Sequence, residues 1–309
     1  MLRTTYALIL LTAFSLAQQD APKQAPAPGS AADLVQQGEK LSHEGKQDEA
    51  IALYNRALDK EPNSYQAHLA EGIALDLKGE YAEAHEHLAK AVEYAPDDSK
   101  QQALRTMAVS YVFQGDAFKA SEPEMKVFSA RQSKSDTVGA AEICNEMARI
   151  YLELGDSDHA SKWYKMGYET VIRKPDLSDT DKNLWQFRWE SAQARIAARR
   201  GNADEAKQHV AAAKAALDKA KNPDQERFYP YLTGYVAFYT GDYKTAIADL
   251  QKADQRDALN LLLLGEAYEK SGDATQAKSY YQKVLGVNTH NPTNAFARPV
   301  AKKKLEGGA

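Results

Sequence analysis

The chain has 309 residues, a net charge of −4 and a mean hydropathy of −0.60, with 43% apolar and 27% charged residues. This balance argues against nonspecific nucleic-acid binding, which needs a basic surface. The single cysteine, Cys144, excludes an intrachain disulfide and a Cys-based zinc site. Alanine is the most frequent residue while glycine and proline are scarce, so we expect an all-α protein.

The N-terminal residues have the parts of a secretory signal peptide. Arg3 precedes an apolar stretch over residues 6–14, and the small residues Ser15 and Ala17 stand at −3 and −1 of a cleavage site. The apolar stretch is too short for a membrane span, which needs roughly 20 residues. We therefore predict that residues 1–17 are a signal peptide cleaved near Ala17. The protein would be periplasmic or secreted, without a stable membrane span; a buried first helix is the alternative.

Residues 18–30 are expected to form a flexible leader. They are rich in Gln, Ala and Pro and carry few large apolar side chains. Such a segment cannot bury enough surface to offset the entropy lost when it becomes ordered. Folded structure is therefore expected from residue 31 onwards.

A pattern of small residues recurs seven times. Each of seven glycines is followed by an alanine five residues later and preceded by Gly or Ala seven residues earlier, at spacings of 34, 36, 40, 46, 40 and 31 residues. Such a glycine ends a helix because it adopts the left-handed conformation without a Cβ clash, and the polar residue that usually follows can cap the next helix. The flanking small residues suit helices that cross closely. These glycines are Gly45, Gly79, Gly115, Gly155, Gly201, Gly241 and Gly272.

The pattern resembles the tetratricopeptide repeat, which has small residues at positions 8, 20 and often 27, aromatic residues at 11 and 24, and proline at 32. The resemblance covers most of the chain. It implies an all-α solenoid, a right-handed superhelix of about seven antiparallel helix-turn-helix units. In the first two repeats the matching residues are Gly38, Ala50, Tyr54, Ala57, Pro62, Gly72, Tyr81, Ala84, Ala91 and Pro96.

The middle of the array departs from this pattern. Glu124 stands where an aromatic residue is expected, and Pro123 falls inside the second helix of the third repeat, which predicts a late start for that helix. Residues 129–138 are polar, and we interpret them as an insertion. It would divide repeats 1–3, over residues 31–128, from repeats 4–7, over residues 139–288.

The last segment, residues 289–309, is predicted to be a capping segment and tail over the final repeat. Pro292 and Pro299 are expected to break any long helix. Residues 302–304 are all lysine, and we interpret them as solvated. Without a wider basic surface they give little support to a lipid or nucleic-acid anchor.

The resemblance also implies a concave face lined by the first helix of each repeat, which typically holds an extended peptide or part of another protein. Projecting the face positions onto this sequence places arginines next to aromatic residues. Arginine pairs with carboxylates through two parallel hydrogen bonds, and tyrosine offers contact area at low entropic cost. We therefore expect a protein or peptide partner. The candidate binding residues are Asn145, Arg149, Arg188, Arg195, Arg199, Phe228, Tyr231, Tyr235 and Phe238.

Other uses of these residues stay open at this stage. The aromatic residues could pack between helices while the arginines are solvated. The aromatic residues Trp185, Phe187 and Trp189 and those of 228–239 could instead stack on sugar rings, which makes a glycan-binding solenoid the alternative function. The apolar row at residues 259–264 could bury against a second copy, so an oligomer is also possible.

The sequence contains no catalytic motif of the GxSxG, P-loop or HExxH type. His85 and His87 are two residues apart on a predicted helix, so they point to different faces and do not suit a metal. Cys144 is expected to pack between helices rather than act as a nucleophile. We predict a non-enzymatic scaffold without cofactor, metal or nucleic-acid partner. A role in assembling an envelope complex is an expectation by analogy alone.

Overall fold

A computed structural model describes residues 26–307, which form α-helices and no strand. The all-α solenoid prediction is confirmed. The predicted signal peptide and most of the leader lie outside the described residues. Within residues 26–307, none of the helices is both long and apolar enough to cross a membrane. The helices are α1 (Ala31–His43), α2 (Gln47–Lys60), α3 (Tyr65–Lys78), α4 (Tyr81–Tyr94), α5 (Lys100–Phe113), α6 (Ala117–Ser133), α7 (Thr137–Glu153), α8 (Ser157–Ile172), α9 (Asp179–Arg199), α10 (Ala203–Ala220), α11 (Pro223–Glu226), α12 (Tyr229–Tyr239), α13 (Tyr243–Leu250), α14 (Ala258–Lys270), α15 (Ala274–Leu285) and α16 (Pro292–Leu305).

The turns between paired helices follow the predicted pattern. All seven repeat glycines have positive φ, from 75° at Gly115 to 97° at Gly155. In four repeats the next residue is an aspartate whose side chain accepts a hydrogen bond from the first turn of the following helix, at 2.9–3.1 Å. These capping residues are Asp116, Asp156, Asp242 and Asp273, whereas Lys46, Glu80 and Asn202 make no such bond.

Small residues allow the paired helices to approach closely, as the sequence predicts. A Cβ atom added to Gly38 would lie 2.3 Å from a ring carbon of Tyr54, and one added to Gly72 would lie 2.6 Å from the Cγ of Leu88. Carbon atoms do not approach so closely without displacement, so a larger residue would push the helices apart. The repeat pattern is therefore a packing requirement.

Helix α6 corrects two expectations about the middle of the array. It begins at Ala117, so Pro123 lies inside it and does not delay its start. Pro123 is buried, and packing of α6 against α5 and α7 compensates for the backbone hydrogen bond that proline cannot make. The helix continues to Ser133 and α7 begins four residues later. The polar stretch 129–138 is therefore mostly helical and not a separate insertion.

The array curls so far that its last helix contacts an early repeat. Helix α16 packs against α14 and α15 of the last repeat and also against α5 of the third. A single apolar core contains Phe296 of α16, Leu263 of α14, and Val112 and Phe113 of α5. The inner side of α5 is thus covered by the chain's own C-terminal helix.

Buried polar groups hold this closure together. The Nε2 atom of His290 lies 2.8 Å from Oδ2 of Asp76, whose Oδ1 accepts a hydrogen bond from Ser110 at 2.9 Å. Arg298 donates from Nε to the carbonyl of Leu77 at 2.8 Å, near the C-terminal end of α3. Carbonyl groups at a helix end have no partner inside their own helix, so this arginine satisfies one of them.

The prediction that Pro299 breaks the C-terminal helix is wrong. Asn291 caps α16 by accepting a hydrogen bond from the backbone N–H of Asn294 at 2.9 Å, and the helix then runs through Pro299. Burial of Phe296 and two alanines on one side stabilises the helix despite the missing backbone donor. The segment covers the last repeat and also reaches α5, which the sequence does not indicate.

Candidate functional site

Side chains from α7, α8, α9 and α12 converge in a group of arginines and tyrosines. Five of the nine predicted binding residues belong to it, together with an acid and two further tyrosines. We call this group the Arg–Tyr cluster. It consists of Arg149, Glu153, Tyr164, Arg195, Arg199, Tyr231, Tyr235 and Tyr239.

Within the cluster, Arg199 binds the C-terminal end of α7. Its Nη2 donates to the carbonyls of Leu152 at 2.7 Å and Glu153 at 2.9 Å, and to Oε2 of the Glu153 carboxylate at 3.1 Å. The guanidinium also lies 4.5 Å from the ring centre of Tyr239. The same Glu153 oxygen accepts a hydrogen bond from the Tyr235 hydroxyl at 3.2 Å. Arg199 is therefore neutralised, and it satisfies carbonyls that the helix end leaves free.

Arg149 and Arg195 have no such neutralising partner. In residues 26–307, no carboxylate oxygen lies within 4.0 Å of either guanidinium. Arg195 donates to the Tyr164 hydroxyl at 2.9 Å and to the carbonyl of Ser191 at 3.3 Å. Arg149 donates to the Tyr231 hydroxyl at 3.4 Å, and its Nε atom is buried without a hydrogen-bond partner. The donor capacity of Arg149 is thus only partly used.

The tyrosines of the cluster do not neutralise the two arginines. Burial raises the pKa of Tyr231 to about 12 and that of Tyr235 well above its usual value, so both hydroxyls are neutral at physiological pH. The acids that act on Arg149 are Glu153, which Arg199 already holds, and Asp257. Asp257 caps α14, and burial raises the pKa of its carboxyl although Arg149 opposes this. Glu266 is a third acid near the cluster; burial raises the pKa of its carboxyl, although Lys304 and Arg199 oppose this.

The cluster has a buried end and an accessible end. Tyr235 has no exposed surface and Arg195 is buried, whereas Arg149 and Tyr231 are half-buried. Asn145, also half-buried, lies one helical turn before Arg149 on α7. A ligand would therefore reach the cluster beside Asn145, Arg149 and Tyr231.

Four predicted binding residues are not members of the cluster: Asn145, which lies at its accessible end, and Arg188, Phe228 and Phe238. Arg188 stacks 4.7 Å from the ring centre of buried Trp185, and its Nη1 is 4.0 Å from Oε1 of Glu142. Phe228 packs against the core that α9, α10 and α12 share, and Phe238 packs against the core that includes α14. These three side chains contribute to packing between repeats.

Three members of the cluster are not among the nine candidate binding residues: Glu153, Tyr164 and Tyr239, of which Tyr239 is the last of the aromatic residues in 228–239. Glu153 stands four residues after Arg149 at a face position of the fourth repeat, so the projection onto first helices contains the signal for it. Tyr164 lies on α8, which is a second helix, and a projection onto first helices omits it. The pattern of first-helix positions therefore could not indicate Tyr164 as the partner of Arg195.

The described residues offer little other reactive chemistry. Cys144 is fully buried between α7 and α8, as predicted, and burial raises the pKa of its thiol to about 12. Across residues 26–307, no group of three or more His, Cys, Asp or Glu side chains is arranged to hold a metal ion. The Arg–Tyr cluster is accordingly the candidate binding site.

Known proteins share the repeat and the fold. Tetratricopeptide repeat models match residues 41–108, 141–166, 190–212 and 260–291. No curated protein is similar enough in sequence to count as a match. A tetratricopeptide repeat protein from Parabacteroides merdae is 16% identical over 89% of this chain and 97% of its own, with a TM-score of 0.52. The apo form of RapI is 13% identical over 89% of this chain and 99% of its own, with a TM-score of 0.54.

At these identities the structural likeness concerns the fold alone. The matched segments, the positive-φ glycines and the stacked helix pairs agree with one another along the chain. Repeats of this kind build elongated surfaces that typically serve protein–protein interaction. The chain belongs to the tetratricopeptide repeat family.

Proposed function

We propose that the chain is a non-enzymatic scaffold that binds a segment of another protein at the accessible end of the Arg–Tyr cluster. The proposal rests on Arg149, a half-buried guanidinium without a carboxylate oxygen within 4.0 Å among residues 26–307. A buried charge is costly unless an opposite charge and hydrogen bonds compensate for it. A bound segment would supply that compensation.

The neighbours of Arg149 suit the recognition of a protein segment. Asn145 offers an amide that both donates and accepts, and Tyr231 offers a neutral hydroxyl beside an aromatic ring. Arginine and tyrosine are enriched among the residues that contribute most binding energy at protein interfaces. The accessible end thus combines a charged and an amide contact from α7 with an aromatic contact from α12.

We also propose that this scaffold acts outside the cytoplasm, in the assembly of an envelope complex or in the secreted fraction. Support comes from the charged, apolar and small residues of the segment 1–17. N-terminal sequencing of the protein from its native cells is expected to begin at Gln18. A mature chain that begins at Met1 or Leu2 would contradict export through a cleaved signal.

The glycan-binding alternative has weaker support. Sugars stack on exposed aromatic faces, but Trp185 is buried beside the guanidinium of Arg188 and Tyr235 has no exposed surface. The ring of Tyr239 already carries Arg199 at 4.5 Å. These rings contact the protein's own side chains, so a protein segment is the better-supported ligand.

Site-specific photo-crosslinking in the native host tests the proposed binding face. A photoreactive residue at Asn145 in the full chain is expected to crosslink a partner protein. The same residue at Phe118, which is 71% exposed on α6, is the matched control and is expected to give no specific product. A partner captured from position 118 but not from 145, or from neither position, would contradict the proposal.

A further inference from the structure

We infer that the part of the partner bound at the accessible end of the Arg–Tyr cluster is the C-terminal end of an α-helix, which presents main-chain carbonyl groups to Arg149. This inference rests on the proposed function and adds the kind of structure that is recognised. It follows from the way other arginines of this chain are used, from the charge balance of the cluster and from the approach to Arg149.

Two half-buried arginines of the array already bind the C-terminal ends of helices. Arg199 donates to the carbonyl of Leu152 at 2.7 Å, near the end of α7. Arg298 donates to the carbonyl of Leu77 at 2.8 Å, near the end of α3, and to that of Leu285 at 2.9 Å, the last residue of α15. Such carbonyls have no partner inside their own helix and lie at the negative end of its dipole, so a guanidinium stabilises them.

Arg149 has the same kind of donors but, among residues 26–307, binds no carbonyl. Its Nη2 donates to the Tyr231 hydroxyl over 3.4 Å, whereas its Nη1 makes no hydrogen bond there and is not buried. A planar guanidinium can direct two neighbouring N–H groups at two carbonyl oxygens. Asn145, one turn earlier on α7, adds an amide donor at the same edge. A helix end docked here would receive what α7 receives from Arg199.

The charge balance of the cluster suits a dipole better than a full negative charge. Three guanidinium groups are opposed by three acids, and their charges cancel when every acid is ionised. These groups are Arg149, Arg195, Arg199, Glu153, Asp257 and Glu266. Lys304 also acts on Glu266 but is paired with Glu269 at 2.9 Å. A helix end carries only about half an elementary charge, so it adds little uncompensated charge to this largely buried group.

The approach to Arg149 favours an element that arrives end-on. One turn after Arg149 on α7, the Glu153 carboxylate accepts a hydrogen bond from the Tyr235 hydroxyl at 3.2 Å, and Tyr235 has no exposed surface. Farther along the inner surface, one apolar core joins α3, α5, α14 and α16. A segment lying along successive first helices would meet these packed side chains. The rim beside Asn145 leaves room for the end of a helix.

Two libraries of synthetic peptides test the inference with the full chain. Both use an alanine-rich helix of about 14 residues, held in helical form by a side-chain staple and amidated at its C-terminus. One library varies the last four residues and is tethered by its first residue; the other varies the first four and is tethered by its last. We expect binders only among the helices with a varied last turn. Arg149→Gln is expected to weaken their binding about 10- to 100-fold, because charge-assisted hydrogen bonds are lost.

The matched control is Arg173→Gln, because the Arg173 side chain is 78% exposed at the end of α8 and lies outside the cluster. This variant should bind like the wild type. Arg149→Lys keeps the charge without the planar pair of donors and should give intermediate affinity. Thermal unfolding of each variant shows that the fold is retained. The selected peptides are also made with a free C-terminal carboxylate, which separates recognition of carbonyls from recognition of a carboxylate.

The outcomes separate the inference from the proposed function. Equal binding from the library with a varied first turn, binding only of the free carboxylate, or wild-type affinity in Arg149→Gln would overturn the helix-end inference. Absence of binding from both libraries would overturn it as well. The proposed function is decided independently by photo-crosslinking at position 145, and it stands if a partner is captured there.

Discussion

Two parts of the inner surface differ in how their charges and apolar groups are satisfied. At α3 and α5 the chain's own C-terminal helix covers the surface, and the polar groups of the closure find partners: Asp76 with His290 and Ser110, and Arg298 with the end of α3. At α7, α9 and α12 the described residues, 26–307, provide no such covering helix, and the buried Nε atom of Arg149 has no hydrogen-bond partner there. One part stabilises the fold, and the other is where we propose that a partner binds.

Arginines occur in both regions, so residue type alone does not distinguish them. Arg298 and Arg199 both donate to carbonyls at the end of a first helix, α3 and α7 respectively. Within the described part of the chain, Arg149 donates to the Tyr231 hydroxyl and to no carbonyl or carboxylate. A binding role is therefore indicated by the N–H donors that an arginine leaves without partners, and not by its presence at a face position.

We expect the largest loss of stability from a substitution in the region that α16 covers. Phe296→Ala removes a buried ring from the core that joins α16 to α5, and we expect the free energy of unfolding to fall by about 3–5 kcal/mol. Urea unfolding of the full chain measures this. Val300→Ala on the same helix is the control, because Val300 is 36% exposed and should cost less than about 1 kcal/mol. Equal losses in the two variants would contradict the closure.

The next effect concerns the paired arginine of the second region. Arg199→Met leaves the nearly inaccessible Glu153 carboxylate without its guanidinium and frees two carbonyls at the end of α7. We expect the free energy of unfolding to fall by about 2–4 kcal/mol, as for other broken buried pairs. Chemical denaturation of the full chain gives the value. A neutral or stabilising effect would show that Arg199 does not hold α7.

A smaller, pH-dependent effect lies at the boundary between the two regions, where Arg105 of α5 pairs with Glu146 of α7. Glu124 is a further, fully buried acid; burial and then Glu146 raise the pKa of its carboxyl, although Arg105 opposes this. A raised folded pKa means that the native state holds the proton more tightly. The contribution of Glu124 to the free energy of unfolding of the wild type therefore falls as the pH rises from about 4.5 through the pKa of this carboxyl in the folded state.

Glu124→Gln removes this titration. We expect the variant to gain about 1–3 kcal/mol over the wild type between pH 5 and pH 8, because glutamine carries no charge to bury. Unfolding curves at both pH values measure the difference. A gap between variant and wild type that is the same at pH 5 and pH 8 would contradict the buried-acid interpretation.

The smallest effect is expected at the unpaired arginine. Arg149→Met removes a guanidinium without breaking an ion pair, so the free energy of unfolding of the unliganded chain should change by less than about 1 kcal/mol or increase. The measurement is the same urea titration used for Arg199→Met. A loss as large as that of Arg199→Met would make Arg149 a structural residue and remove the contrast between them.

The repeats could be predicted from the sequence because their signals are local. Gly155 and Asp156, for example, fix a left-handed turn and the cap of α8 through the chemistry of two adjacent residues. The closure could not be predicted in this way, since Asp76 and His290 are 214 residues apart. Their contact depends on the combined curvature of all the repeats between them. No single position in the sequence indicates that curvature.

The candidate site was predictable only in part. The face positions identified Arg149, Arg195 and Arg199, but they do not state which arginine Glu153 neutralises. That choice depends on Arg199 reaching across to the end of α7, where two carbonyls add to the attraction of the carboxylate. Neighbouring helices therefore decide which arginine is left free, and a single-helix pattern does not contain that information.

Hydrogen–deuterium exchange of the full chain, with and without the partner captured by crosslinking at position 145, shows which part of the inner surface the partner covers. We predict slower amide exchange in α7, α9 and α12 on binding, with exchange in α3, α5 and α16 unchanged. Slower exchange in α3 and α5 together with faster exchange in α16 would contradict the account, because it would mean that the partner displaces the C-terminal helix and binds the covered region instead.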